Sequence, residues 1–242
     1  MHLRDRPSPN HDARPAGAVI DMLILHYTGM TSAEAALERL TSPEAKVSAH
    51  YLIEEDGRVW RLVAEERRAW HAGVSFWAGR RDINAHSIGI ELVNPGHEWG
   101  YHAFPVAQMA ALEALAQDIM TRHPIRREFV LGHSDVAPQR KEDPGELFDW
   151  VRLARAGIGL WPDFATPPRD IPHDAPAAQR RLAEIGYEVP QTGALDEATR
   201  AVVSAFQRHF RPTRCDGTLD LETRARIAVV AGVAEDKGSK SG

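Results

Sequence analysis

The chain has 242 residues, of which 43% are hydrophobic and 26% charged, a composition that fits a soluble globular protein with one large domain or two modest ones. A balance of 29 Lys+Arg against 34 Asp+Glu gives a net charge of -5, which excludes a strongly basic nucleic-acid binder. The single cysteine, Cys215, excludes an internal disulfide and a Cys-rich zinc cluster, and no apolar run is long enough to span a bilayer.

The opening, Met1 to Gly17, is polar, rich in Pro and Arg, and reads as an extended arm without the apolar region of an export signal. DMLILHYT (Asp21–Thr28) is an apolar run of strand length. TSAEAALERLTS (Thr31–Ser42) reads as a helix, with Ser32 as its N-cap and Ala35, Ala36, Leu37 and Leu40 on its apolar side. SAHYLIEEDGRVWRLV (Ser48–Val63) carries a hairpin signal, two β-rich runs around Asp56-Gly57. Ala64 to Ser87 has little periodicity and many aromatic and polar groups, the pattern of a binding loop.

SIGIELVN (Ser87–Asn94) reads as a buried strand. Pro105–His123 is the clearest helix, with Pro105 in its first turn and a broad apolar face. EFVLGHS (Glu128–Ser134) is a short strand, and Pro144–Gly159 reads as a helix ended by glycines. A Pro-rich stretch, Trp161–Pro176, reads as a linker. Helices are expected at Ala177–Ile185, Asp196–Phe210 and Leu219–Val230, followed by a disordered tail over 234–242. The expected organisation is an arm (1–17), an α/β domain with a mixed β-sheet flanked by helices (18–160), the linker (161–176) and a small three-helix domain (177–233).

Three metal-capable residues stand at or just past strands: His26, His133, and Asp143 ten positions after His133. Two histidines and a carboxylate with an open fourth position form a catalytic zinc set. Chemistry alone leaves the choice open, because twelve histidines permit many pairs and a lone strand histidine is as a rule a hydrogen-bonded structural residue. Glu91, flanked by Ile90 and Leu92, would be costly to bury unless it were functional or paired in a strand-end salt bridge.

The run GHSDVAPQRKEDPG (Gly132–Gly145) resembles the signature of the type-2 N-acetylmuramoyl-L-alanine amidases, a zinc family with AmpD and AmiD branches. Four more blocks of that family stand in order: ILHYTG (Ile24–Gly29), VSAHYLIEEDGRVWRLV (Val47–Val63), AWHAG (Ala69–Gly73) and NAHSIGIELVN (Asn84–Asn94). APQRK and DPG resemble the AmiD branch in particular. The resemblance implies one Zn2+ held by His26, His133 and Asp143, with Glu91 as acid/base and Lys141 stabilising an oxyanion. It also implies cleavage between N-acetylmuramic acid, or its 1,6-anhydro form, and L-Ala of the stem peptide. Some distant relatives use a tyrosine where Ala49 stands here, whereas the AmpD and AmiD branches use the Glu of SIGIE.

Trp70, Phe76, Trp77, Arg80, Arg81 and Asn84 suit sugar stacking and carboxylate pairing, and Asn94, Ser134 and Asp135 are further candidates beside the site. His71 suits either substrate contact or loop support, and His50 either the site or a structural place on the hairpin. The segment Ala177–Phe210, with Asp216–Thr223, resembles a three-helix peptidoglycan-binding domain, and TGALDEAT and DGTLDLET look like related halves. The expected partners are peptidoglycan or soluble muropeptides, with no nucleic acid and no membrane span, and the expected form is a monomer. A start at Met1 without an export signal implies the cytoplasm; a removed signal would imply the periplasm or outer membrane. The competing class is a non-catalytic muropeptide sensor, whose distant relatives lose a zinc ligand that this chain keeps.

Overall fold

The structure, a computed structural model, describes residues 2–166, 168 and 170–238. The elements run β1 (Leu3–Asp5), β2 (His11–Ala13), β3 (Met22–Tyr27), α1 (Ala33–Thr41), β4 (Tyr51–Ile53), β5 (Val59–Arg61) and β6 (Arg67–Ala69). They continue with α2 (Ile83–His86), β7 (Ser87–Leu92), α3 (Gly96–Trp99), α4 (Val106–Arg122), β8 (Val130–Gly132), α5 (His133–Val136) and α6 (Trp150–Arg155). Three helices close the chain: α7 (Ala175–Ile185), α8 (Glu197–Phe210) and α9 (Leu221–Gly238).

Six strands form one mixed sheet in the order β1-β5-β4-β7-β3-β8, with β4, β7, β3 and β8 parallel, which is the expected α/β class. Register decides what each face carries. β3 and β7 pair Met22 with Ser87, Ile24 with Gly89 and His26 with Glu91. Side chains alternate along a strand, so Leu23, Leu25, Ile88, Ile90 and Leu92 share one face. That face packs against Met109, Leu112, Leu115, Ala116 and Ile119 of α4, which recur at helical spacing. The opposite face carries Met22, Ile24, Ser87 and Gly89, then His26 and Glu91 at the C-terminal ends of the strands.

The C-terminal helices cover that second face. Met22, Ile24 and Leu131 share one apolar cluster with Leu182, Tyr187, Val202, Phe206 and Phe210. Burying one such side chain contributes about 1.5–3 kcal/mol. Apolar packing therefore holds this domain to the sheet, and the few polar contacts between them set its orientation. Its two sequence halves repeat one hydrogen-bond unit. Gln179 accepts from Gly193 N and donates to Thr199 Oγ1; Gln207 accepts from Gly217 N and donates to Thr223 Oγ1.

Several segments differ from expectation. The helix expected over Pro144–Gly159 is confined to Trp150–Arg155. Gly145 has φ +85°, Tyr101 Oη bonds Pro144 O and Leu147 N, and Asp149 caps the helix through Arg152 N. The irregular stretch after Ala64 contains β6 and α2. The segment expected as a disordered tail from 234 is helical to Gly238, and 239–242 lie outside the described residues. The opening arm is extended but stitched in. β1 joins the sheet edge beside β5, and β2 pairs with β6.

Arg14 completes that stitching. Its guanidinium donates to the carbonyls of Glu65, Asn84, Ala85 and Ser87 at 2.8–3.0 Å. Burial lowers its pKa to about 10, still well above neutrality, although the nearby Glu65 charge opposes the fall. Arg14→Met keeps much of the volume but strips four carbonyls of their donor. It is expected to cost about 2–4 kcal/mol in urea unfolding.

Candidate active site

Three strand ends bring together residues far apart in sequence. His26 is the fifth residue of β3, His133 opens α5 directly after β8, and Asp143 follows on the next loop. Ser134 N donates to Asp143 O at 2.9 Å, which folds that loop back against α5. His26 Nδ1 and His133 Nδ1 lie 3.0 Å apart, and each lies 3.1 Å from Asp143 Oδ2. All three side chains are buried.

The outer hydrogen bonds determine which nitrogens carry protons. The carbonyl of Ile83 can only accept, so Ser87 Oγ–H donates to it at 2.7 Å. Ser87 Oγ then accepts from His71 Nε2–H at 3.1 Å, and His71 Nδ1 accepts from His26 Nε2–H at 3.1 Å. On the other side, His133 Nε2–H donates to Ala72 O at 3.1 Å. Both Nδ1 atoms therefore turn a lone pair toward the Asp143 carboxylate. Burial, then the neighbouring His133, lowers the His26 pKa to about 4, so it is neutral at pH 7. Three lone pairs converging without a proton between them repel unless a cation lies among them. Bonds of about 2.0–2.1 Å to nitrogen and oxygen fit such a triangle.

The support behind the triangle explains two small residues. A Cβ on Gly89 would meet His71 Cγ at 2.4 Å, so only glycine lets the His71 ring lie against β7. Asn84 Oδ1 accepts from His71 N at 3.1 Å and Ala72 N at 2.8 Å. One side chain thus fixes both the ring behind His26 and the carbonyl behind His133.

A cleft of about 360 Å³ opens over the triangle, lined among others by Tyr27, Arg39, Trp70, Glu91, Arg140 and Lys141. Glu91 is partly open to the cleft, but its Oε2 is buried and has no hydrogen-bond partner. Burial, then the Asp143 charge, pushes its pKa well above the usual carboxylate range, while Lys141 opposes the rise. Lys141 makes no ion pair among the described residues. The cleft thus combines a metal-capable triangle, a carboxyl with a raised pKa and an unpaired ammonium.

A family model described as N-acetylmuramoyl-L-alanine amidase matches residues 16–146, and a peptidoglycan binding domain model matches residues 174–227. N-acetylmuramoyl-L-alanine amidase AmiD of Escherichia coli is 40% identical over 232 residues, covering 88% of this chain and 83% of AmiD. The chain belongs to the N-acetylmuramoyl-L-alanine amidase family. AmpD of Enterobacter cloacae, a 1,6-anhydro-N-acetylmuramyl-L-alanine amidase, is 37% identical over 63% of this chain and 89% of its own length. A solved AmiD complex with anhydro-N-acetylmuramic acid-L-Ala-D-γ-Glu-L-Lys has a TM-score of 0.80 over 92% of this chain and 93% of that one. AmpDh3 from Pseudomonas aeruginosa also superposes at 0.80, over 90% of this chain and 94% of its own.

Within this amidase, His26, His133, Asp143, Glu91, Lys141 and Trp70 meet at the cleft. The other candidates are turned to structural partners: Trp77 is buried in the apolar cluster shared with the helical domain, and Arg81 lies over the Phe76 ring. His71 lines the cleft but bonds inward to His26 and Ser87. Arg80 pairs with Asp21 at 2.9 Å, and Arg81 pairs with Glu188 at 2.5 Å on the helical domain. Asn94 bonds the loop of His102 and Gly96, and His50 accepts from Gly89 N. Arg140 was not singled out from sequence. It lines the cleft while donating to Ala72 O at 3.0 Å, the same carbonyl that orients His133. No motif distinguishes it from a solvated arginine, whereas the glycine inside the strand SIGIE was a readable sign of close approach.

Gly89→Ala tests the support directly. The added methyl must displace His71, at a cost of about 1–3 kcal/mol in stability. Metal affinity is expected to fall about 10–100-fold with all three ligands intact, as read by competition titration against a chromophoric chelator.

Proposed function

We propose that this amidase is zinc-dependent and hydrolyses the amide between N-acetylmuramic acid, or its 1,6-anhydro form, and L-Ala of the stem peptide, in peptidoglycan recycling or turnover. The observation that carries this reading is the convergence of two imidazole lone pairs and one carboxylate oxygen at 3.0–3.1 Å beneath an open cleft. Three nitrogen and oxygen ligands with a free position are a catalytic zinc set. Zinc bound there supplies Lewis acidity and lowers the pKa of a water toward about 7.

The chain's own residues do the rest. Glu91, in register with His26 across β3 and β7 and lining the same cleft, takes the proton of the attacking water. Its raised pKa lets it hold that proton and deliver it to the departing L-Ala nitrogen. Lys141, which makes no ion pair among the described residues, supplies an ammonium to the carbonyl oxygen as it gains charge. Trp70 offers an aromatic face for the sugar, and Arg39 a cation for stem-peptide carboxylates. The solved complexes of AmiD with an anhydro-N-acetylmuramic peptide and of AmpDh3 with an anhydromuramic pentapeptide support soluble anhydro-muropeptides as the substrate class. The match to a peptidoglycan binding domain supports a wall-derived partner for the helical domain.

Purified protein is incubated with an anhydro-muropeptide and, separately, with intact sacculi, and products are identified by mass. Release of free stem peptide, lost on chelation and restored by zinc, is the expected result. Preference for the soluble fragment is expected of a recycling enzyme. Bound zinc with no release from either substrate would refute the catalytic reading.

Glu91→Gln is expected to lower kcat about 10²–10⁴-fold and Lys141→Ala about 10²–10³-fold, with zinc retained in both. The sign of the pH dependence follows from Glu91. As a base it works only when ionised, and its pKa is raised. At saturating zinc, activity therefore rises with pH along a limb above the ordinary Glu range, about 4.3. The residual activity of Glu91→Gln lacks that limb.

A further inference from the structure

The loop from His133 to Asp143 holds two metal-ligand candidates and Lys141, and the helical domain grips it at two points. The first is Asp135, 1% exposed. Its Oδ2 accepts from Gly132 N at 2.8 Å, at the end of β8, and from His209 Nδ1 at 2.8 Å. Its Oδ1 accepts from Tyr187 Oη at 2.6 Å. Two of its three donors thus come from the helical domain. The second point is Glu142, between Lys141 and Asp143, which accepts from Arg208 Nη2 at 2.6 Å.

The Asp135 contacts are built into the interior, whereas the Glu142 contact lies at the surface. Tyr187 is 2% exposed and His209 3%. The His209 ring is stacked between Trp150 at 3.7 Å and Phe210 at 4.0 Å, which leaves its Nδ1 one direction to point. Burial, then the Asp135 charge, raises the Tyr187 pKa well above its ordinary value, so the phenol keeps the proton it donates. Without the two outer donors a buried carboxylate would rest on one amide of its own turn. That turn begins with His133, and Ser134 N holds the Asp143 carbonyl. Any shift of Asp135 therefore moves both ligands.

We propose that the helical domain is a working part of the amidase site: through Tyr187, His209 and Arg208 it holds the loop of His133, Lys141 and Asp143 in its reactive arrangement, with Asp135 as the positioning residue. The proposal rests on the metal and lysine roles given above and adds to them a dependence on the second domain. Apolar packing keeps that domain docked, so cutting the polar links tests position and leaves docking in place.

The test compares three full-length proteins at a temperature where all are folded: wild type, Tyr187→Phe/His209→Phe, and Val202→Ala. Phe at 209 preserves the ring stack and removes only the donor. Val202→Ala is a packing lesion in the same domain that cuts none of the polar links to the loop. The readouts are the zinc Kd, the visible absorption of the cobalt(II)-loaded protein, and kcat and KM on an anhydro-muropeptide. In the double variant the zinc Kd is expected to rise about tenfold or more, the cobalt band to shift, and kcat to fall about tenfold at nearly constant KM. Val202→Ala is expected to move none of them. An unchanged zinc Kd and cobalt spectrum in the double variant overturns the proposal, as does an equal change in Val202→Ala. If wild type binds zinc but releases no stem peptide, the functional reading fails while the zinc and cobalt readouts still decide this one.

Discussion

Two imidazole nitrogens and a carboxylate oxygen facing one another at 3.0–3.1 Å are mutually repulsive unless a cation lies among them. The rest of the structure around the cleft is arranged to keep them there. The carbonyl of Ile83 sets the direction of Ser87, Ser87 that of His71, and His71 that of His26. Ala72 O does the same for His133 in a single step. Both chains of support pass through the AWHAG loop, which Asn84 fastens by two amides. Arg14, from the opening arm, fastens the carbonyls of Asn84, Ala85 and Ser87 in turn.

The sheet supplies the second constraint. Parallel register aligns His26 with Glu91, and alternation turns both toward the face that α4 does not cover. The same face must be closed along the rest of its length, because Met22, Ile24 and Leu131 are apolar and buried. The C-terminal helices close it and stop short of the strand ends, leaving the cleft open. A single face therefore provides both the docking surface for the second domain and the floor of the site, which puts Tyr187, Arg208 and His209 within reach of the metal-side loop.

Similarity to AmiD extends over both parts of the chain, at 39% identity and 92% coverage in the solved structure, while the AmpD match spans 63% of it. The relation of the helical domain to the amidase domain is thus a property that this chain shares in outline with AmiD. Its Gln–Thr–Gly hydrogen-bond unit, used once at Gln179 and again at Gln207, gives the domain its own rigid frame.

By itself the sequence determined the mixed sheet and the helical repeat, and it pointed to the donor set through its resemblance to the amidase family, since residue types at strand ends left the choice open. The core lies in periods of two and about 3.6, and the repeat in two copies of one turn pattern. Tertiary structure alone decided the rest. Arg80 and Arg81 read as substrate cations but meet Asp21 and Glu188, partners 59 and 107 positions away that no local pattern foretells. Asn84 reads as a substrate contact and His71 as either a substrate contact or a loop support; Asn84 bonds the amides of His71 and Ala72, and His71 bonds His26. The helix expected from Pro144 yields to Gly145 and the Tyr101 hydroxyl, again a contact across more than forty positions. Local periodicity records which face a residue prefers, whereas the hydrogen-bond partner of a buried polar group is chosen by whatever the fold brings beside it.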